Sequence, residues 1–124
     1  MIDFNNKALF KLKGMPIADG QKIVSELLIH GEGVIAAFNA IRDSLIFTNK
    51  RIISVNVQGI TGKKIDYTSI PYSKIQVFSI ETAGTFDLDA ELDVTISGIG
   101  TIRFELKSSE NIREIGKAIS QYVL

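Results

Sequence analysis

The sequence predicts a mainly β (α+β) domain: an antiparallel sandwich or open barrel of about seven strands, capped by a C-terminal amphipathic helix and preceded by an N-terminal helix. Three observations carry this prediction. Residues 91–97 and 101–106 alternate apolar and polar side chains, the period of a strand with one buried face. Before them runs a series of short β-rich segments separated by turn-forming residues. From residue 112 the period becomes helical, with Ile112, Ile115, Ile119, Tyr122 and Val123 on one stripe suited to plug the open end of a barrel.

Taken in order, Ile23, Val24, Leu27 and Leu28 predict a helix over 19–29, with Asp19 as N-cap and Gly31 as its stop. Residues 1–30 thus read as an N-terminal helical extension and 31–124 as the domain proper. Strands are predicted at 34–38, 45–47 and 52–57, with turns at Arg42-Asp43-Ser44, at Asn49-Lys50 and over 59–62. Two more follow at 65–71 and 73–80, where Pro71 implies an edge position or a break. Gly98-Ile99-Gly100 joins the two alternating strands as a hairpin. Ser108 or Ser109 is the expected N-cap of the last helix, and Glu110 suits its positive end.

Composition narrows the function. The 124 residues hold 14 basic and 14 acidic side chains and no cysteine, which excludes disulfides, thiolate metal sites and thiol nucleophiles. The balance leaves no global positive field to collect nucleic acid. No apolar run approaches the roughly 18 residues that span a bilayer, and the N-terminus is a poor signal peptide, so the expected location is cytoplasmic, with peripheral contact to a membrane as a second option.

The stretches "IRDSLIFTNKRII", "QGITGKKIDYTSIPYSKI" and "ETAGTFDLDAELDVTISG" resemble the bacterial pleckstrin-homology-like (PH-like) family, with similarity running over residues 31–124. The resemblance implies a fold of seven strands and a C-terminal helix, ring-shaped homo-oligomers and no enzymatic activity. Eukaryotic PH domains that bind phosphoinositides gather Lys and Arg around the loop joining their first two strands. Here that loop, 39–44, offers only Arg42, offset by Asp43, and the chain has no Trp.

Several chemistries fail on spacing. "GITGKK" has Val57 where a phosphate-cradling loop needs glycine and Lys64 where it needs Ser or Thr, so Gly59 to Lys64 reads as a solvated hairpin turn. "FDLDAELD" has Leu92 and Gly98 where an EF-hand needs Gly and Glu. His30, the only histidine, reads as a helix-end residue, and no catalytic residue, cofactor or metal site is predicted. Tyr67 and Tyr72 read as packing at a strand break. Single-stranded nucleic acid is disfavoured, since only Phe47 and Tyr67 flank the basic stretch.

Zero net charge conceals two poles. Residues 42–74 carry six basic side chains against Asp43 and Asp66, whereas 81–97 carry five acidic ones and no basic one. Lys50, Arg51, Lys63 and Lys64 are candidate anion, lipid or subunit contacts. Asp87, Asp89, Glu91 and Asp93, expected on one strand face, read either as a solvated face or as the candidate complementary subunit contact. A head-to-tail meeting of these patches generates a cyclic oligomer when its rotation closes, and the alternative is that the two patches face each other within one protomer. The first functional expectation is a non-catalytic module that forms a ring and acts as a scaffold or peptide-binding platform, and the alternative is an anionic-lipid or phosphate binder using hairpin 47–67.

Overall fold

The computed structural model describes residues 8–82, 89–107 and 112–124. Its strands are β1 (Ala8–Met15), β2 (Val34–Asn39), β3 (Ser44–Thr48), β4 (Arg51–Gln58), β5 (Lys64–Pro71), β6 (Ile75–Thr82), β7 (Ala90–Ile96) and β8 (Gly100–Lys107). Helix α1 spans Ile17–Val24, helix α2 spans Ile112–Val123, and a single 3-10 turn at Tyr72–Lys74 separates β5 from β6.

All eight strands form one sheet in the order β5-β4-β3-β2-β1-β8-β7-β6. Every predicted strand is present, and β1 is an addition: residues 8–15, read from the sequence as part of a helical extension, lie in the middle of the sheet. β1 pairs antiparallel with β2 and parallel with β8, so the sheet is not wholly antiparallel. One apolar cluster takes residues from every strand, including Leu12, Phe38, Phe47, Ile52, Ile70, Ile75, Leu92 and Phe104. A single sheet can point all its strands at one core only by curling around it, which makes the sheet an open barrel. Its two edges, β5 and β6, are joined by the Tyr72–Lys74 turn. There α2 packs against the turn, β6 and β2, driving Ile115 and Ile119 into the core. The expected caps Ser108, Ser109 and Glu110 lie outside the described residues.

Strands β2, β3 and β4 have a second apolar layer. Val24 of α1 meets Ala37, Ile46, Ile53 and Val55 on the outer face. With both faces covered, these strands read as continuous apolar runs, whereas β7 and β8, solvated on one face, alternate. Gly20 makes the close seating of α1 possible, since a Cβ there would lie 2.5 Å from the Ala37 Cβ. Replacing Gly20 with Val should therefore cost about 1–3 kcal/mol through overpacking. A lowered urea midpoint with an unchanged slope would register the loss.

Helix α1 is shorter than its predicted span. It starts after Pro16, which serves as N-cap without a side-chain bond, and Asp19 sits inside the first turn, where its charge still suits the dipole. Beyond Val24 the backbone turns away from the helix: the Leu27 N–H donates to the Val24 carbonyl (2.8 Å), Arg51 of β4 donates to the Leu27 carbonyl (2.6 Å), and the Ile29 N–H donates to the Glu32 side chain in the same loop (3.1 Å). His30 consequently lies in the following loop, exposed, and not at a helix end. The β7–β8 hairpin forms as expected, with Gly98 at φ +79°, a conformation that favours glycine.

Candidate functional site

The four basic candidates do not converge. Register pairs Arg51 with Pro71 and Gln58 with Lys64, so Lys50 and Arg51 lie at the open end of the β4–β5 hairpin and Lys63 and Lys64 at its tip. At about 3.3 Å per residue the two ends of β4 are some 23 Å apart.

Arg51 is locked inside the protomer. Its Nε and Nη2 donate to the two carboxylate oxygens of Glu32 at 2.9 and 3.0 Å, its Nη2 also to the Leu27 carbonyl, and its Nη1 to Ser69 Oγ at 3.1 Å. The Glu32 side chain is fully buried and that of Arg51 is 21% exposed. Thr48 Oγ1 donates to Glu32 at 2.6 Å and accepts the N–H groups of Lys50 and Arg51, closing the β3–β4 turn. Burial alone would raise the Glu32 carboxyl, but hydrogen bonds from Arg51, Thr48 and Ile29 outweigh it and hold the group below its ordinary value.

Tyr72 completes this clasp. It is buried, its hydroxyl donates to the Thr48 carbonyl at 2.6 Å, and its N–H donates to the Lys50 carbonyl. Burial, with the nearby Glu32 carboxylate, raises the hydroxyl above its usual range and keeps it a donor. Tyr72 thus packs at the strand break as expected, while Tyr67 stands exposed on β5. Asn49 ties the neighbouring loop, accepting from the Gly33 N–H and donating to the Gly31 carbonyl. Most polar groups at this end serve the fold.

The opposite end carries a basic tip. Lys63 and Lys64 are exposed and make no ion pair among the described residues. Arg42 joins them through a 2.6 Å bond to the Gly59 carbonyl, and Asp43 accepts the Val57 N–H, so the pair that seemed to neutralise itself instead braces the turn.

The acidic surface lies on the other half of the sheet. Ala90, Leu92 and Val94 of β7 are buried while Glu91 and Asp93 face outward, as the alternation predicts; Asp87 lies outside the described residues. Register adds what one strand could not reveal. Glu81 of β6, Glu91 of β7 and Glu105 of β8 stand directly opposite one another, a like-charged row across three strands. Beside it Arg103 holds Asp93 through two bonds, at 2.9 and 3.1 Å, and reaches Glu91 at 3.5 Å. The bond to Asp93, with the fields of Asp93, Glu91 and Glu81, secures the Arg103 proton beyond its ordinary hold. A depression of about 380 Å³ opens at this end, lined by Thr82, Asp89, Ala90, Leu106 and the cationic Lys107 besides the three glutamates. Among the described residues no group of His, Cys, Asp or Glu is arranged to hold a metal ion, and no helix is long and apolar enough to cross a membrane.

Comparison with known proteins agrees with this architecture. The sequence profile of the bacterial PH domain matches residues 3–123, a span that includes β1. Two uncharacterised proteins of Bacillus subtilis strain 168 are similar over 102 residues. YjqA is 47% identical, covering 81% of this chain and 82% of its own; YozO is 28% identical, covering 82% and 88%. A crystal structure of a DUF1696-family protein with a pleckstrin-homology domain from Shewanella loihica PV-4 matches with a TM-score of 0.72 and 38% identity, over 92% of this chain and 98% of that one. A pleckstrin homology domain from Shewanella amazonensis SB2B matches with a TM-score of 0.58 and 41% identity, over 89% and 90%. With its curled sheet, its helical plug and a profile match along nearly the whole length, the chain belongs to the bacterial PH domain family.

Proposed function

We propose that this domain is a non-catalytic module that assembles head to tail into a ring-shaped homo-oligomer and serves as a platform for binding other proteins. One observation carries the reading: the basic tip and the acidic face occupy opposite halves of one sheet, and Lys63 and Lys64 have no described ion-pair partner of their own. Unlike patches on separate parts of a protomer are complementary between protomers, and a heterologous contact generates a ring if its rotation closes. Lipid recognition through hairpin 47–67 lacks comparable support, because Arg51 is committed to Glu32 and Lys50 lies a strand's length from the tip.

Mass in solution tests the assembly. Light scattering should find a multimer that dissociates when Lys63→Glu and Lys64→Glu are combined, and that recovers in part when Glu91→Lys is added. Raising the salt to 1 M, where the screening length falls to about 3 Å, should weaken it as well. A wild-type monomer, or a multimer indifferent to the charge reversal, would defeat the assembly reading.

A further inference from the structure

We propose that the free edge of β6 accepts an extended peptide segment in which lysine or arginine alternates with apolar residues. The inference rests on the platform part of the functional reading.

β6 ends the sheet: β7 lies on one side, and among the described residues no strand lies on the other. The outward backbone groups of such an edge form a template for one more strand. Natural edges are commonly blunted by lysine or proline, and β5, the opposite edge, has Lys64 at its start and Pro71 at its end. β6, with the sequence IQVFSIET, has neither. Its one irregularity falls near its beginning, between Ile75 and Val77, and the pairing from Val77 to Thr82 is regular.

The two faces of this edge specify the guest. Phe78 and Ile80 turn inward, half-buried, and pack on the main core. Helix α2 flanks that side closely, since a Cβ at Gly116 would stand 2.9 Å from Ile80 Cδ1. A strand added to β6 would lay every second side chain beside Phe78 and Ile80, where only apolar groups are favoured. The intervening side chains would lie on the outer face beside Ser79 and Glu81. There Glu81 has no hydrogen bond or ion pair among the described residues, and the glutamate row extends from it across β7 and β8, where Arg103 meets only Glu91, at 3.5 Å. Cations at those positions would relieve the like-charge repulsion.

The β5 edge of a second copy fits less well, because Lys64 and Asp66 share one face of that strand and would present opposite charges to the row.

The test uses a fluorescein-labelled peptide of alternating lysine and valine, as long as β6, with two controls: the same composition in two blocks, and the alternating peptide N-methylated along its backbone. In anisotropy titrations against the full chain at moderate salt, the alternating peptide should bind at least about tenfold more tightly than either control. Glu81→Lys should weaken it about tenfold, and amide shifts should centre on β6. The Lys63→Glu, Lys64→Glu protein, whose glutamate row no neighbouring basic tip occupies, should bind at least as tightly as wild type, so that loss of assembly and loss of peptide binding are separate results. Equal binding of the three peptides, or shifts centred on β5, would overturn the proposal. So would concentration-dependent changes at β6 without peptide, which would make a second copy the occupant.

Discussion

Replacing Arg51 with leucine should destabilise the protein by about 3 kcal/mol, the lower end of what breaking a buried ion pair costs, because the guanidinium retains some exposure. The loss comes from stranding the Glu32 carboxylate in a pocket built for its charge, together with the freed Leu27 carbonyl. Combining Arg51→Leu with Glu32→Gln should recover part of the loss, which a double-mutant cycle in urea would measure. The same pair predicts a pH dependence. The folded state holds the Glu32 carboxyl below its unfolded value of about 4.3. Its contribution is therefore present above that pH and disappears as pH falls through the folded value. Wild type should lose urea resistance steeply from about pH 4.5 downward, and Glu32→Gln, less stable at neutral pH, should show a shallower acid limb. Parallel acid limbs would mean that other carboxylates dominate.

The second large effect is expected at Phe47. This ring is fully buried and meets Phe38 edge-on at 5.8 Å and Phe104 at 6.5 Å, tying β3 to β2 and to β8 on the far half of the sheet. Phe47→Ala should cost about 4 kcal/mol, from lost burial and the cavity left behind. Against a total of roughly 5–15 kcal/mol this would bring the fold near its limit. Phe47→Leu, which keeps most of the volume, should cost well under half as much. Equilibrium unfolding of the two variants separates volume from ring contacts, since each aromatic pair adds only about 0.5–1.5 kcal/mol.

How much of this was legible from residues depended on whether a surface was solvated. β7 and β8 announce themselves because water on one face enforces alternation, so Glu91 and Asp93 could be placed outward before any coordinates. β2 to β4 are recognisable as strands from Ile-, Val- and Phe-rich runs, but a second apolar layer erases the sign of which face is which. β1 went unseen because its alternation spans few residues and its register shifts between Leu9 and Lys11. The end of α1 was misplaced since bonds from Arg51 and Glu32 override local period. At the site, nearness in sequence misled: Lys50 and Lys63 border one hairpin, yet a hairpin separates its mouth from its tip by a full strand. The row Glu81, Glu91, Glu105 is created by register, and the clasp of Glu32, Thr48, Arg51 and Tyr72 by a loop and a 3-10 turn folding onto the β3–β4 turn. A clue to the row did exist, since Arg103 and Glu105 occupy the outward positions of β8.

The parallel pairing of β1 with β8 also constrains how the chain can acquire its shape. Ala8 is matched to Arg103, so the seam at the centre of the barrel joins segments that lie far apart along the chain. On the ribosome, β1 can find β2 early, but its other edge stays bare until β8 has emerged. Closing that long loop is a high contact-order event, slow by comparison with the hairpins on either side. The interval before it is when β1, later sealed in the middle, offers nascent chains a strand edge to aggregate on.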